Sequence, residues 1–78
     1  MTLRPVDRRS AVERATAQLR ERVESGDWPV GGRIPSEPVL AEQLGVGRSA
    51  VREAVRALTH VGMLEPRQGS GTYVLQSA

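Results

Sequence analysis

Residues 37–61 read EPVLAEQLGVGRSAVREAVRALTHV, and the short glycine-flanked interruption near their middle decides the fold. Before it, Glu37 to Leu44 reads as a short helix, with Val39, Leu40 and Leu44 spaced to face inward. After it, a longer helix runs from about Arg48 to Val61. Val51, Val55 and Leu58, joined by Ala54 and Val61, form its apolar face. Gly45-Val46-Gly47 supplies the tight turn between them, and Gly62 supplies a left-handed stop after the second helix. Two helices joined by a three-residue turn containing glycine are the signature of a helix-turn-helix.

Working outward, Met63-Leu64-Glu65-Pro66-Arg67 and Thr72-Tyr73-Val74-Leu75 read as two strands joined by Gln68-Gly69-Ser70-Gly71. A hairpin directly after the second helix is a wing. Upstream, Val12, Ala15, Leu19 and Val23 repeat at spacings of three and four, which predicts a first helix from about Ser10 to Ser25. Ser10 and Glu13 have the spacing of a capping box, and Gly26 is the stop. A turn-rich connector, residues 26–32, leads to Arg33-Ile34-Pro35, which Pro35 biases toward extended geometry. The expected fold is mainly α with a small β-hairpin: a winged helix-turn-helix of three helices plus wing. Its expected organisation is an N-terminal arm over 1–9 and a domain over 10–75. Within the domain, the helix-turn-helix spans about 37–56 and the wing about 63–75. Residues 76–78 begin a linker. The first helical residue of the Glu37 segment has two readings. Pro38 is favoured at the first position, with Glu37 as the cap, or Ser36 caps and Pro38 stands second.

The 78 residues fit one small domain. The absence of cysteine excludes disulfides and thiolate metal sites and suits a reducing cytoplasm, the expected location. His60 alone cannot build a zinc site, and no apolar run reaches membrane-spanning length. No cofactor, metal or catalytic residue is expected, because no acid pair accompanies a nucleophile and a base. All eleven basic residues are arginine, against nine acids. Residues 1–26 hold six arginines and four acids, residues 27–47 one and three, residues 48–78 four and two. The positive excess therefore lies at the two ends.

Arg48, Arg52 and Arg56 fall at i, i+4 and i+8, in one line roughly opposite the apolar face. Helical side chains lean toward the N-terminus, so Arg48, Ser49 and Arg52 project off the helix start. That end of a recognition helix enters the major groove, where the planar arginine fork can bond guanine O6 and N7 together. In the hairpin loop, Arg67 and Gln68 have reach and Gly69 and Gly71 permit close backbone approach. Arg67, Gln68, Gly69 and Ser70 are therefore candidates for phosphate or minor-groove contact. A Walker-type phosphate loop is excluded, since the chain has no lysine and Thr72 opens a strand rather than a helix. Trp28 and Tyr73 are too far apart in sequence to form serial stacking platforms for single strands and read as core and wing-packing residues.

These stretches resemble the GntR family of bacterial regulators. The resemblance rests on Arg33-Ile34-Pro35-Ser36-Glu37, Leu40 to Val46, Arg48 to Leu58, and Gly69-Ser70-Gly71-Thr72-Tyr73-Val74. Residues 51–58 look most like its FadR-like branch. The resemblance implies DNA contacts at Arg48, Ser49, Arg52, Gln68 and Gly69, with double-stranded DNA, a palindromic operator, as partner. It also implies a second domain that binds an effector and dimerises. These 78 residues hold none of that domain, so self-association is expected to be weak or absent here. Two positions depart from the family pattern: Pro38 stands where the FadR-like pattern has arginine, and Gly47 where serine or threonine is common. Two competing readings are a winged helix used for protein contact and the leader domain of a fused aminotransferase-like regulator. A protein-docking helix would expose apolar residues where Arg48, Arg52 and Arg56 stand.

Overall fold

The computed structural model describes residues 8–77. Three helices come first: α1 (Arg8–Glu24), α2 (Glu37–Leu44) and α3 (Arg48–His60). Two strands follow, β1 (Leu64–Arg67) and β2 (Gly71–Val74). The strands pair antiparallel, with Leu64 opposite Val74 and Arg67 opposite Gly71. Leu64 and Val74 share the inner face and are buried. Glu65, Arg67 and Tyr73 share the outer face, as alternation along a strand requires. The extended Arg33 segment joins this sheet. Arg33 bridges Tyr73, and the Ile34 N–H donates to the Thr72 carbonyl at 2.9 Å.

The core is one cluster. Ala15, Leu19 and Val23 come from α1, and Leu40, Ala41 and Leu44 from α2. Val51, Ala54, Val55 and Leu58 of α3 complete its centre, closed by Trp28, Ile34, Met63, Leu64 and Val74. α1 packs chiefly on α3, and α2 and β1 flank the same helix, so three elements fix α3 in place. Each of the fully buried leucines, such as Leu19, Leu40 and Leu58, contributes about 1.5–3 kcal/mol by leaving water.

The turn between α2 and α3 is built from backbone. Gly45 closes α2 at φ 68°, left-handed geometry that glycine adopts without a Cβ penalty. Its N–H and that of Val46 both bond the Ala41 carbonyl. Val46 is partly buried against the core and pins the turn. Gly47 then caps α3, its carbonyl accepting from the Ala50 and Val51 N–H groups.

Several expectations require correction. Ser10 is not a cap: α1 is already helical at Arg8, so Ser10 lies inside it and the supposed capping box with Glu13 does not form an end. The proposed arm therefore overlaps α1 at Arg8 and Arg9, while residues 1–7 lie outside the described residues, as does Ala78 of the proposed linker. Val39 does not face inward. It is 43% exposed, and Ala41 takes the buried place because the stripe of this two-turn helix runs through 40, 41 and 44. Val61 does not belong to the apolar face of α3; it is the C-cap, with φ −90° and ψ 4°, and is 52% exposed. Once the backbone leaves helical geometry, helical spacing no longer predicts where a side chain lies. Leu75 likewise lies outside β2 and is exposed.

Candidate nucleic-acid interface

With its apolar face in the core, α3 turns Arg48, Ser49, Arg52 and Arg56 outward, and all four are exposed. No side chain caps the α3 N-terminus. Its first amides have no intrahelical acceptor, and the positive end of the helix dipole favours an anion there. The start of α3 thus combines exposed arginine forks with the Arg48 and Ser49 amides, which precede the first intrahelical bonds.

Arg52 is not isolated. Its Nε donates to Oε1 of Glu37, at the start of α2, across 3.4 Å. Arg52 and Arg56 line an open cleft of about 490 Å³ together with Glu37, His60 and the wing residues Pro66 and Thr72. The cleft brings the first turn of α2, the outer ridge of α3 and the base of the wing onto one concave surface.

Ser36 caps α2 without a side-chain hydrogen bond, which settles the alternative left by the sequence: Pro38 stands second in the helix. Its missing N–H costs nothing there, since the first amides of a helix lack partners anyway. Pro38 is exposed and lines a neighbouring hollow with Arg33, Glu37, Gly71 and Thr72.

The wing tip holds the remaining candidates, Arg67, Gln68, Gly69 and Ser70, all exposed. The Arg67 guanidinium lies over the Tyr73 ring at 4.2 Å and its Nε donates to Glu65 at 3.0 Å. The Ser70 and Tyr73 hydroxyls share a short hydrogen bond. Gly71, at φ 132°, occupies backbone space that side-chain-bearing residues rarely enter, and the Arg33 Nε lies 2.6 Å from where its Cβ would stand. Trp28, the other aromatic, is buried in the core with the Arg22 guanidinium 5.6 Å from its ring centre. Both aromatics thus serve packing, as the sequence suggested.

Arg33 and Glu37 carry no site signal in the sequence. The bridge to Tyr73 spans forty residues and the contact to Arg52 fifteen, so neither has a local periodic signal. Among the described residues no cluster of histidine, cysteine or acids has the makings of a metal site, and no helix is long and apolar enough to cross a membrane.

Helix-turn-helix followed by a hairpin, with an arginine ridge outward, defines a winged helix-turn-helix domain. The family model for bacterial regulatory proteins, gntR family, matches residues 11–74, and the chain belongs to that family. It is 49% identical over 74 residues to the HTH-type transcriptional regulator Mce2R of Mycobacterium tuberculosis (strain CDC 1551 / Oshkosh), covering 95% of this chain and 31% of the relative. It is 38% identical over 69 residues to the Exu regulon transcriptional regulator of Escherichia coli (strain K12), covering 88% and 27%. The chain thus spans about a third or less of the length of these curated relatives. Among solved structures, AraR(DBD) in complex with operator ORR3 superposes with a TM-score of 0.78 at 30% identity, covering 82% of this chain and 77% of that one. A Streptococcus agalactiae GntR superposes with a TM-score of 0.75 at 48% identity, covering 82% and 31%.

Proposed function

We propose that this domain binds double-stranded DNA in a sequence-specific manner as the reading head of a bacterial transcriptional regulator. The observation that carries the reading is the exposed line of Arg48, Arg52 and Arg56 on a helix whose opposite face is the core. α3 enters the major groove, where Arg48, Ser49 and Arg52 meet base edges. Arg56 and Arg67 position the protein on phosphates. Gln68, Gly69 and Ser70 bring the wing tip to the adjacent minor groove or backbone. The similarity to AraR(DBD), solved in complex with an operator, supports the DNA-binding reading.

In this reading the domain runs from α1 through the wing and catalyses nothing. The protein works in the cytoplasm, and the longer protein pairs on a palindromic operator through a dimerising domain of the FadR-like kind. Selection of binding sites from random duplex DNA tests the proposal. Enrichment of one short motif by this chain is the expected result, and recovery of unenriched sequence after repeated rounds would count against it.

A further inference from the structure

Glu37 is an acid placed where phosphates are to approach. Its carboxylate lines the same cleft as Arg52 and Arg56, and Oε1 accepts from the Arg52 Nε at 3.4 Å. We propose, resting on the DNA-binding reading above, that Glu37 is a positioning residue that orients the Arg52 guanidinium for base recognition.

The geometry supplies the argument. A guanidinium offers two bidentate edges, one through Nε and one through its two terminal amino groups. A carboxylate on Nε occupies the first edge. The second, end-on edge then remains to meet guanine O6 and N7 as a fork. An arginine on a long flexible side chain loses rotamer freedom when it orders on DNA, and a partner that already restrains it reduces that cost.

The same carboxylate has an opposite effect on phosphates. A negative charge beside Arg52 and Arg56 weakens the sequence-independent attraction that every duplex supplies. Glu37 thus raises discrimination twice: it improves the fit to the right base and weakens binding to everything else.

A simpler role for Glu37 would be to complement the dipole at the start of α2. That role predicts a change in helix stability and none in base preference. Direct readout is the other rival, since a carboxylate can accept from the cytosine amino group. The ion pair itself contributes little to folding, because its side chains are 56% and 37% exposed. The fold should therefore survive its removal.

The experiment measures affinities of the wild-type chain, Glu37→Ala, Glu37→Gln, Arg52→Ala and the Glu37→Ala/Arg52→Ala double variant. The ligands are a selected operator, the operator changed at the base pair whose discrimination Arg52→Ala removes, and a random duplex. Glu37→Ala is expected to lose about fivefold in discrimination at that base pair, the lower end of what a bidentate arginine–guanine pair supplies. Its affinity for the random duplex should hold or rise, and its urea midpoint should not move. Glu37→Gln, whose amide oxygen still accepts from Nε, should recover most of the discrimination. In the Arg52→Ala background Glu37→Ala should have no further effect on that base pair. Unchanged discrimination in Glu37→Ala would overturn the proposal. So would an equal loss in the Arg52→Ala background, which would make Glu37 a reader in its own right. A wild-type chain with no preference among duplexes would instead overturn the DNA reading on which the proposal stands.

Discussion

α3 and the wing both present arginine outward, but they hold it by different means. α3 is positioned by its buried side: Val51, Ala54, Val55 and Leu58 seat it against α1, α2 and β1. Its exposed arginines are spectators of folding and can change without disturbing the helix beneath them. The wing tip has no buried residues between Pro66 and Ser70. It is held by the Ser70 N–H bond to the Arg67 carbonyl and by side-chain contacts, Arg67 on Tyr73 and Glu65, and Ser70 on Tyr73. There the residues that would meet DNA are also those that hold the loop. On the proposed reading the difference separates two jobs: the helix carries a geometric code, and the wing loop follows a backbone that is the same at every base pair.

The largest effect should come from removing what the two regions share. Leu58 lies at 1% exposure in the centre of the core. Leu58→Ala should cost about 2–5 kcal/mol of stability, a large fraction of what a small domain possesses. A urea titration followed by circular dichroism checks it, and an unchanged midpoint would remove α3 from its place in the core.

Next come the α3 arginines. Arg48→Ala should weaken binding to the selected operator by about 1–3 kcal/mol and relax preference at one base pair, with no shift in the urea midpoint. If the midpoint fell instead, the contrast between the two regions would break, because Arg48 would be holding structure. Smaller, and opposite in sign, is Pro38→Arg. Position 38 lies exposed on the hollow between Arg33, Glu37 and the wing. An arginine there should gain about 1 kcal/mol and steepen the salt dependence. Equal affinity at two salt concentrations would mean that this corner points away from the duplex.

The smallest effect belongs to the wing. Arg67→Ala should weaken binding to all duplexes alike and lower the salt slope by about one unit, the signature of one phosphate. It gives up only exposed contacts, so little stability should go with it. An unchanged slope would take Arg67 off the list of phosphate contacts.

Much of this was legible in the sequence because it is periodic or local. The α3 stripe, the glycines of its turn and stop, and the hairpin with its loop all announce themselves within a few residues. Pro38 and Gly47 could be placed near helix starts for the same reason. What escaped was of two kinds. Val39 and Val61 were misplaced because an apolar residue at roughly helical spacing need not lie on the buried stripe, and at a cap the spacing rule stops. The Glu37–Arg52 and Arg33–Tyr73 contacts escaped because they arise only once α2 stands beside α3 and the Arg33 segment beside β2. The arginines could be found from one helix, but the acid that faces one of them required the packing of two.

Base reading by α3 and backbone contact by the wing are tested most directly by comparing Arg52→Ala with Arg67→Ala on a selected operator and on a random duplex of equal length at one salt concentration. The quantity is the ratio of the two affinities. Arg52→Ala should lower that ratio by about fivefold or more, the worth of one base-reading arginine. Arg67→Ala should lower both affinities and leave the ratio where the wild type has it. A ratio that falls for Arg67→Ala and holds for Arg52→Ala would contradict the assignment of base reading to α3 and backbone contact to the wing.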